Sequence, residues 1–593
     1  MKLKYFLFLS LFFLLLSYSF IEATVRYVSK TGTNSPPYTS WQTAATSIQL
    51  CINYSNNGDT IYVANGIYHE SLVVNKYLWL IGSSMDSTVI DGTGLAGITI
   101  DGHSNFILNG FNIYGKERNE LSTTAIAFSG FNPTISNLRI SKAGKGIYLG
   151  RSSGKIDNVI VNDCNLGFST FCAPDTCYPE ITNCLIFMEN SVSQAIQIFD
   201  GGSPSITNNI ILGINCNEGI SVSFNTKIST IKNNIVSGFI LSNIACPNST
   251  DSALIENNIS VYLPKNIFGW AGIEGDPNTI IRNNITAYSN VGIRGWSTPV
   301  TNNNLFWQNI SNTIGGASVD SSDIIADPMF FSDTIPINGG SYDYHLQKYS
   351  PAIDAGDSTV LDKDGSRSDI GVYGGPLGES YTYQDLAPRE PRNISAVVDT
   401  NYITLSWNRN TEADTAFYKV YRDTVVNFQI DSTKLISSQA DTFFVQINPH
   451  NVTRYVYKVT CMDNQGNESK PSTELVVNIT SVSNDDYPMT INDYMLYQNF
   501  PNPFNPSTKI GYKLKERGYV KVMVYDIKGE LVSVLVNKEQ NAGYYEVDFV
   551  GNGLPSIPNA PQLASGIYLY RIEVIGEGRI PVFSDMKKML MIK

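Results

Sequence analysis

A phrase of the form Ile-x-Asn-x-x-Ile, or a near variant, recurs as ILNGFNI, ISNLRI, IDNVIV, ITNCLI, ITNNII, IKNNIV, IENNIS and IRNNIT. Its asparagines, Asn109, Asn137, Asn158, Asn183, Asn208, Asn233, Asn257 and Asn283, stand 28, 21, 25, 25, 25, 24 and 26 residues apart, and VTNNNL adds Asn302 after a further 19. A period in the twenties, built of short β-branched runs punctuated by Gly and Asn, describes a solenoid in which every turn supplies short strands to parallel sheets. Periodicity at 3.6 residues is absent throughout. The flanking Ile residues are expected to point inward and stack from coil to coil. The Asn tolerates the left-handed backbone of a tight bend, and its amide is expected to bond the equivalent amide one coil above and below.

A second phrase keeps step with the first: Gly146-Ile147-Tyr148, Gly167-Phe168-Ser169, Ala195-Ile196-Gln197, Gly219-Ile220-Ser221, Gly272-Ile273-Glu274 and Gly292-Ile293-Arg294. If these are one position on successive strands, Ile faces inward, the next residue outward, and the residue two further along shares the outer face. Glu274 and Asp276 then project together, with Arg294 and Trp296 on the adjoining coil about 4.8 Å away. With Trp270 just before, this face offers flat rings for the apolar side of a sugar and charged groups for hydroxyls or uronate carboxylates. Three readings stay open here. The charges form an exposed cross-strand pair; or Trp270, Glu274, Asp276, Arg294 and Trp296 bind a ligand; or Glu274, Asp276 and Arg294 carry catalysis. No tight cluster of three carboxylates occurs among the coils, and Asp200 and Glu218 stand alone in turns. Trp307, in the strand-like NNLFWQN, reads as core.

These repeats resemble the right-handed parallel β-helix of pectate-lyase-like secreted proteins. The likeness extends to a leading segment, VRYVSKTGTN to NGDTIYVANGIYHESLVV, whose helical stretch around residues 44–51 looks like a solenoid cap. It also extends to the trailing ADPMFF, YDYHLQKYSPAIDAGD and DIGVYGG, so that it covers residues 24–375. The resemblance implies secretion and a polysaccharide ligand. Similar lyases hold Ca2+ with clustered acids and use a basic residue to remove a proton, and similar hydrolases pair two carboxylates. No catalytic motif of the family matches this chain residue by residue.

The acidic stretch DAGDSTVLDKDGSRSDIG gathers Asp354, Asp357, Asp362, Asp364 and Asp369 around a glycine turn. DKDG looks locally like a calcium loop, although its spacing departs from D-x-[DN]-x-[DN]-G and the closing Glu is missing. Asp357, Asp362, Asp364 and Asp369 are the candidate Ca2+ ligands, and Ca2+ is the one cofactor left open. The alternative is a solvated capping loop whose carboxylates bond their own backbone. Cys172 and Cys177, in FCAPDTCYP, are the expected disulfide of an exported chain, whereas Cys51, Cys164, Cys184, Cys216 and Cys246 read as small buried hydrophobes. The four histidines are scattered and no cysteine pair has zinc-ribbon spacing.

Residues 1–23, with Lys2 and Lys4 ahead of an apolar run, read as a signal peptide, a single membrane anchor being the alternative. No later segment approaches eighteen uninterrupted apolar residues, so no permanent transmembrane helix is expected. A net charge of −12 and a pI near 5.0 argue against a nucleic-acid partner. After a linker at 376–391, alternating strands over 392–480 resemble a fibronectin type III domain, with Trp407 and Tyr455 or Tyr457 as core aromatics. A linker at 481–493 leads to residues 494–593, where YMLYQNFPNPFNPSTKIGYKL, VKVMVYDIKGELV, LASGIYLYRI and MKKMLMIK resemble the type A C-terminal sorting domain of type IX secretion cargo. There Pro501, Pro503 and Pro506 fix an extended lead-in, and GNGLPSIPNAPQ looks like a local insertion.

The expected fold class is all-β: a right-handed parallel β-helix followed by two β-sandwich domains. The expected protein is a monomer, secreted or on the outer surface of a Gram-negative cell. It binds an extracellular polysaccharide or surface glycan or mediates adhesion, and engages the type IX secretion machinery; a polysaccharide lyase or glycoside hydrolase is the alternative.

Overall fold

The computed structural model describes residues 23–591, apart from 96, 102–105, 119–121, 131, 174–176, 192, 225–226, 248–251, 264–269, 333–341, 399–401, 448–452, 480–493, 500–501, 503, 505, 551–563 and 577–580. The leader, the second linker, Pro501, Pro503 and the apparent insertion thus lie outside the described residues, save Ala23. Two compact units divide at Leu386 and Ala387.

The first unit is a parallel β-helix. A 21-stranded parallel sheet bends at the asparagines, and an 11-stranded parallel sheet faces the same core. Inward residues stack in register: Ile135, Ile156, Ile181, Ile206, Ile231, Ile255 and Ile281 pair in succession and all are fully buried. The apolar area each coil removes from water is useful only with its neighbours in place, so coil stacking is the source of stability.

The asparagine expectation holds in a divided form. Asn137, Asn158, Asn183, Asn208, Asn233, Asn257, Asn283 and Asn303 lie at φ between 50° and 57°; in place of Asn109 and Asn302, the following residues Gly110 and Asn303 take the left-handed position. The amide ladder belongs chiefly to the second Asn of each pair. Asn209 Nδ2 donates to Asn234 Oδ1 (2.9 Å), Asn234 to Asn258 (3.0 Å), Asn258 to Asn284 (3.0 Å) and Asn284 to Asn304 (3.1 Å). Each of these amides also donates to a strand carbonyl of the preceding coil, as Asn258 does to Ile231 O (2.9 Å).

From Asn233 to Asn303 the left-handed asparagines do a different job, because their side chains reach outward to the segment that follows the coils. Asn233 Nδ2 donates to the carbonyls of Val372 and Gly374, Asn257 Nδ2 to those of Asp369 and Gly371, and Asn303 Nδ2 to that of Ala355. Asn283 Oδ1 accepts from the Asp357 N–H (2.7 Å). Gly371, at φ 105°, is required here: a Cβ would stand 2.8 Å from Ile285 Cδ1. At the other end a helix, Ile48–Tyr54, caps the solenoid. It begins four residues later than expected, since Ala45 bridges to Val28 in extended form and Ser47 caps the helix by accepting from Leu50 N–H.

In the second unit, a three-stranded antiparallel sheet (Ser395–Val398, Tyr402–Ser406, Phe443–Ile447) accompanies a four-stranded one (Leu435–Gln439, Thr415–Asp423, Arg454–Asp463, Leu475–Asn478). Trp407, Tyr418, Tyr455 and Tyr457 are in their shared core. The strand Leu435–Gln439 escapes the alternation reading because its LISSQ pattern is half polar. The chain ends in a second pair of antiparallel sheets, of three and four strands, around Ile510, Tyr512, Val522, Tyr570 and Ile572.

Replacing Asn258 with Leu would orphan buried groups on both adjoining coils, at about 1–3 kcal/mol for each unsatisfied group. We expect Asn258→Leu to lower the denaturation midpoint by an amount equivalent to roughly 3 kcal/mol in total. A loss below about 1 kcal/mol would show that the ladder carries little stability.

Candidate functional site

Strands Ser242–Ala245, Ile273–Gly275, Val291–Gly295 and Ser311–Gly315 are neighbours in the 11-stranded sheet. Ile244, Ile273 and Ile293 pair inward, while Ala245, Glu274, Arg294 and Ile314 pair on the outer face. The alignment of Glu274 opposite Arg294 is therefore as the repeat implies.

Their exposure is not. Glu274 is 1% exposed and Asp276 8%, so the expected open acidic face is absent here. Glu274 lies beneath the side chain of Trp296. Its Oε2 accepts from Trp296 Nε1 (2.8 Å), and its Oε1 accepts from Ser242 Oγ (2.7 Å) and the Ala271 N–H (3.2 Å). Burial pushes the carboxyl above its usual range, against the opposing effect of these donors and of Arg294. Asp276 sits in a tight turn, where its N–H donates to Thr279 Oγ1 and its carbonyl accepts from the Thr279 N–H.

What the site presents to solvent is aromatic and cationic. The Arg294 guanidinium lies 3.6 Å from the centre of the Trp296 ring and 5.8 Å from that of Trp270, so it is packed against both indoles. Trp296 remains 49% exposed, while the bond from its Nε1 to Glu274 fixes its tilt. Trp270, Glu274, Arg294 and Trp296 thus converge, with the Glu274 carboxylate below the surface and the rings above, whereas Asp276 is held in the turn that follows. Trp307 packs against the core cluster around Ile285 and Leu305, as expected.

Two further rings share this outer face. Phe171 and Phe199 are register partners, each 40% exposed, with centroids 6.4 Å apart. They stand two residues beyond the outward positions Ser169 and Gln197, the same offset that separates Trp296 from Arg294. The signal was present in the sequence as GFSTF, AIQIF and GIRGW, but only the last contains charge and drew notice. Five coil steps at about 4.8 Å separate Phe171 from Trp296, so the rings span about 24 Å along the solenoid.

The other acidic candidates have backbone duties. Asp357 Oδ1 accepts from the N–H and Oγ1 of Thr359, Asp364 from the N–H and Oγ of Ser366, and Asp362 from the N–H groups of Asp369 and Gly375. Asp369 accepts from the Asp354 N–H and the Tyr383 hydroxyl, and burial raises its carboxyl to about 6. Among the described residues no three of these carboxylates bring ligand atoms within 4.8 Å of one another. This is the arrangement of the capping-loop alternative, with side chains spent on the turn that the asparagines clamp. Asp357 also belongs to a charge row that sequence reasoning missed. Lys232 and Arg282 flank the buried Glu256 at 2.7 and 2.6 Å, and Arg282 continues to Asp357 at 3.1 Å.

Cys172 and Cys177 form the expected disulfide, with Cα atoms 5.7 Å apart, and Cys51, Cys164, Cys184, Cys216 and Cys246 are buried thiols. Desolvation pushes Cys246 up to about 12, which leaves it an unreactive thiol.

A family model described as a right-handed beta helix region matches residues 124–239. The protein is an all-β parallel β-helix protein with additional antiparallel sheets. An amylopullulanase from Thermoanaerobacterium saccharolyticum is 29% identical over 169 residues, 28% of this chain; the chain spans only 12% of that relative's length. Among solved structures, pectate lyase Pel9A overlaps 59% of this chain and 97% of its own at 13% identity and a TM-score of 0.28. An Fn3-like protein from Clostridium thermocellum overlaps 16% of this chain and 99% of its own at 26% identity and a TM-score of 0.14.

The Glu274→Gln substitution tests whether the carboxylate is the anchor of Trp296. Three donors converge on two oxygens, so an amide NH2 would face an N–H or O–H. We expect a local destabilisation of about 1–3 kcal/mol and a red-shifted, more quenchable Trp296 emission measured against a Trp296→Phe control. An unchanged spectrum and unfolding midpoint would mean that the indole is positioned without Glu274.

Proposed function

We propose that this protein binds extracellular polysaccharide along the outer face of its 11-stranded sheet, with Trp296 as the principal contact, and does not turn the ligand over. Trp296 carries the reading. Its half-exposed ring is fixed by Glu274 and backed by Arg294, so little conformational entropy is lost when a pyranose stacks on it. Phe171 and Phe199 lie on the same face at a distance that a polymer, rather than a single sugar, would span. The similarity to an amylopullulanase adds a polysaccharide context.

Catalysis is the second reading, and the raised carboxyl of Glu274 is the observation in its favour. Against it, both oxygens already accept protein hydrogen bonds and the group has almost no contact with solvent. A general acid or base must reach the atom it protonates.

Trp296→Ala should weaken polysaccharide binding by about 1–3 kcal/mol, roughly tenfold or more, without loss of fold. The measurement is affinity electrophoresis across a polysaccharide panel, with parallel assays for unsaturated uronate and new reducing ends. Parent-like binding by the variant would remove the indole from the site, and turnover by the parent would replace the binding reading with the catalytic one.

The motif order of residues 494–593 supports their assignment as an export address for the type IX secretion machinery, and the apolar leader supports passage through the inner membrane of a Gram-negative cell. The mature protein is then a monomer released outside or held at the outer surface, where the fibronectin-like sandwich acts as spacer or adhesive module. Deleting residues 494–593 should trap the chain in the periplasm, read by fractionation and surface labelling. Undiminished surface display would refute the sorting assignment.

A further inference from the structure

The left-handed asparagines form a row along one flank of the solenoid, and the trailing segment covers only part of it. At Asn233, Asn257 and Asn303 the outward amides hold carbonyl oxygens of residues 355–374. The next rungs, Asn208 and Asn183, are exposed. Asn183 Nδ2 donates to Asp157 Oδ1, whereas the Asn208 side chain has no partner among the described residues. The row that grips a polar chain on one stretch of the flank therefore continues beyond it with a free amide.

At this junction there is a cavity of about 370 Å3, lined by Asn183, Asn208 and Asn233 on the coil side and by Lys363, Tyr373 and Glu379 on the segment side. Ile210, Val372 and Leu377 add an apolar patch. The Tyr373 ring is held by stacking on His345, with centroids 4.1 Å apart and planes 20° apart. The volume is in the range of small-ligand sites, and the walls combine amides repeating at about 4.8 Å, one cation, one carboxylate and an apolar surface.

We propose that this cavity is a second carbohydrate site, which takes a saccharide of one or two rings. Hydroxyl groups both donate and accept, so one sugar can serve the amides of Asn208 and Asn183, donate to Glu379 and accept from Lys363 while its apolar face covers Ile210 and Val372. A phosphate-like anion would meet the Glu379 carboxylate, and an apolar ligand would leave the Asn208 amide and Lys363 unpaired. The site lies on the 21-stranded sheet's bend rather than on the 11-stranded sheet, and its lining shares no residue with the Trp296 face.

The test uses the full chain, with glucose, galactose, galacturonate, maltose and cellobiose as probes and inorganic phosphate as the control, read by saturation-transfer NMR and calorimetry. Asn208 and Lys363 are exposed, and glycine accepts the φ of 57° at Asn208, so Asn208→Gly and Lys363→Ala should leave the fold intact, checked by the unfolding midpoint. Saturable binding of at least one saccharide is expected, weakened roughly tenfold by the double variant and unchanged by Trp296→Ala. Absence of saturable saccharide binding to the parent, binding that the double variant retains, or preference for phosphate would each overturn the proposal. Failure of the Trp296 reading is seen separately, as polymer binding that survives Trp296→Ala.

Discussion

The bend between two strands of each coil is the constraint on which the rest depends. A left-handed backbone position is needed at this bend, and asparagine supplies it at lower cost than other residues with a Cβ. From Asn208 onward the following residue is a second asparagine buried between coils, whose amide donates to both the next side chain and a strand carbonyl, as Asn258 does; after Asn137, Asn158 and Asn183 the place is taken by Leu138, Val159 and Cys184. A hydrophobic residue in place of Asn258 would remove the side-chain donor to the Ile231 carbonyl inside the protein. The pair Asn-Asn is thus a single device in which the first residue turns the chain and the second satisfies the turn.

That device also explains the segment after the coils. Because Asn233, Asn257 and Asn303 direct their amides outward, these coils present a row of donors, and the carbonyls of residues 355–374 fall on it. The carboxylates of Asp357, Asp362 and Asp369 then stabilise the irregular backbone that follows the row. An acidic stretch that reads locally as a calcium loop is, in the folded chain, largely a set of turn caps. Spacing alone could not separate the two, since both uses place Asp near a glycine turn.

At the Trp296 face the charge exchange from Glu274 to Arg294 is built around the indole and is not an exposed ion pair. Arg294 is stacked against two rings, and Glu274 binds the edge of one of them from below. Opposite charges on adjoining coils neutralise one another while both serve to orient the indole. The result is a stiff apolar plate bordered by a guanidinium, with the Glu274 carboxylate held beneath it.

The sequence by itself determined the coil, its register and its outward positions. Asn137 to Asn283 and the Gly-Ile-X phrases recur at the period of one turn, and pairing by repeat places Glu274 beside Arg294 as observed. It also determined the disulfide, the buried thiols and the core around Trp407, because alternation and short cysteine spacing are local signals. The tertiary structure decided burial and partnership. Whether Glu274 meets water depends on Trp296, twenty-two residues later, lying back across the neighbouring strand. Which asparagines are free depends on where the trailing segment docks, its Asp369 and Val372 lying more than a hundred residues beyond Asn257 and Asn233. A period tells which residues share a face, but only the packed chain tells what covers that face.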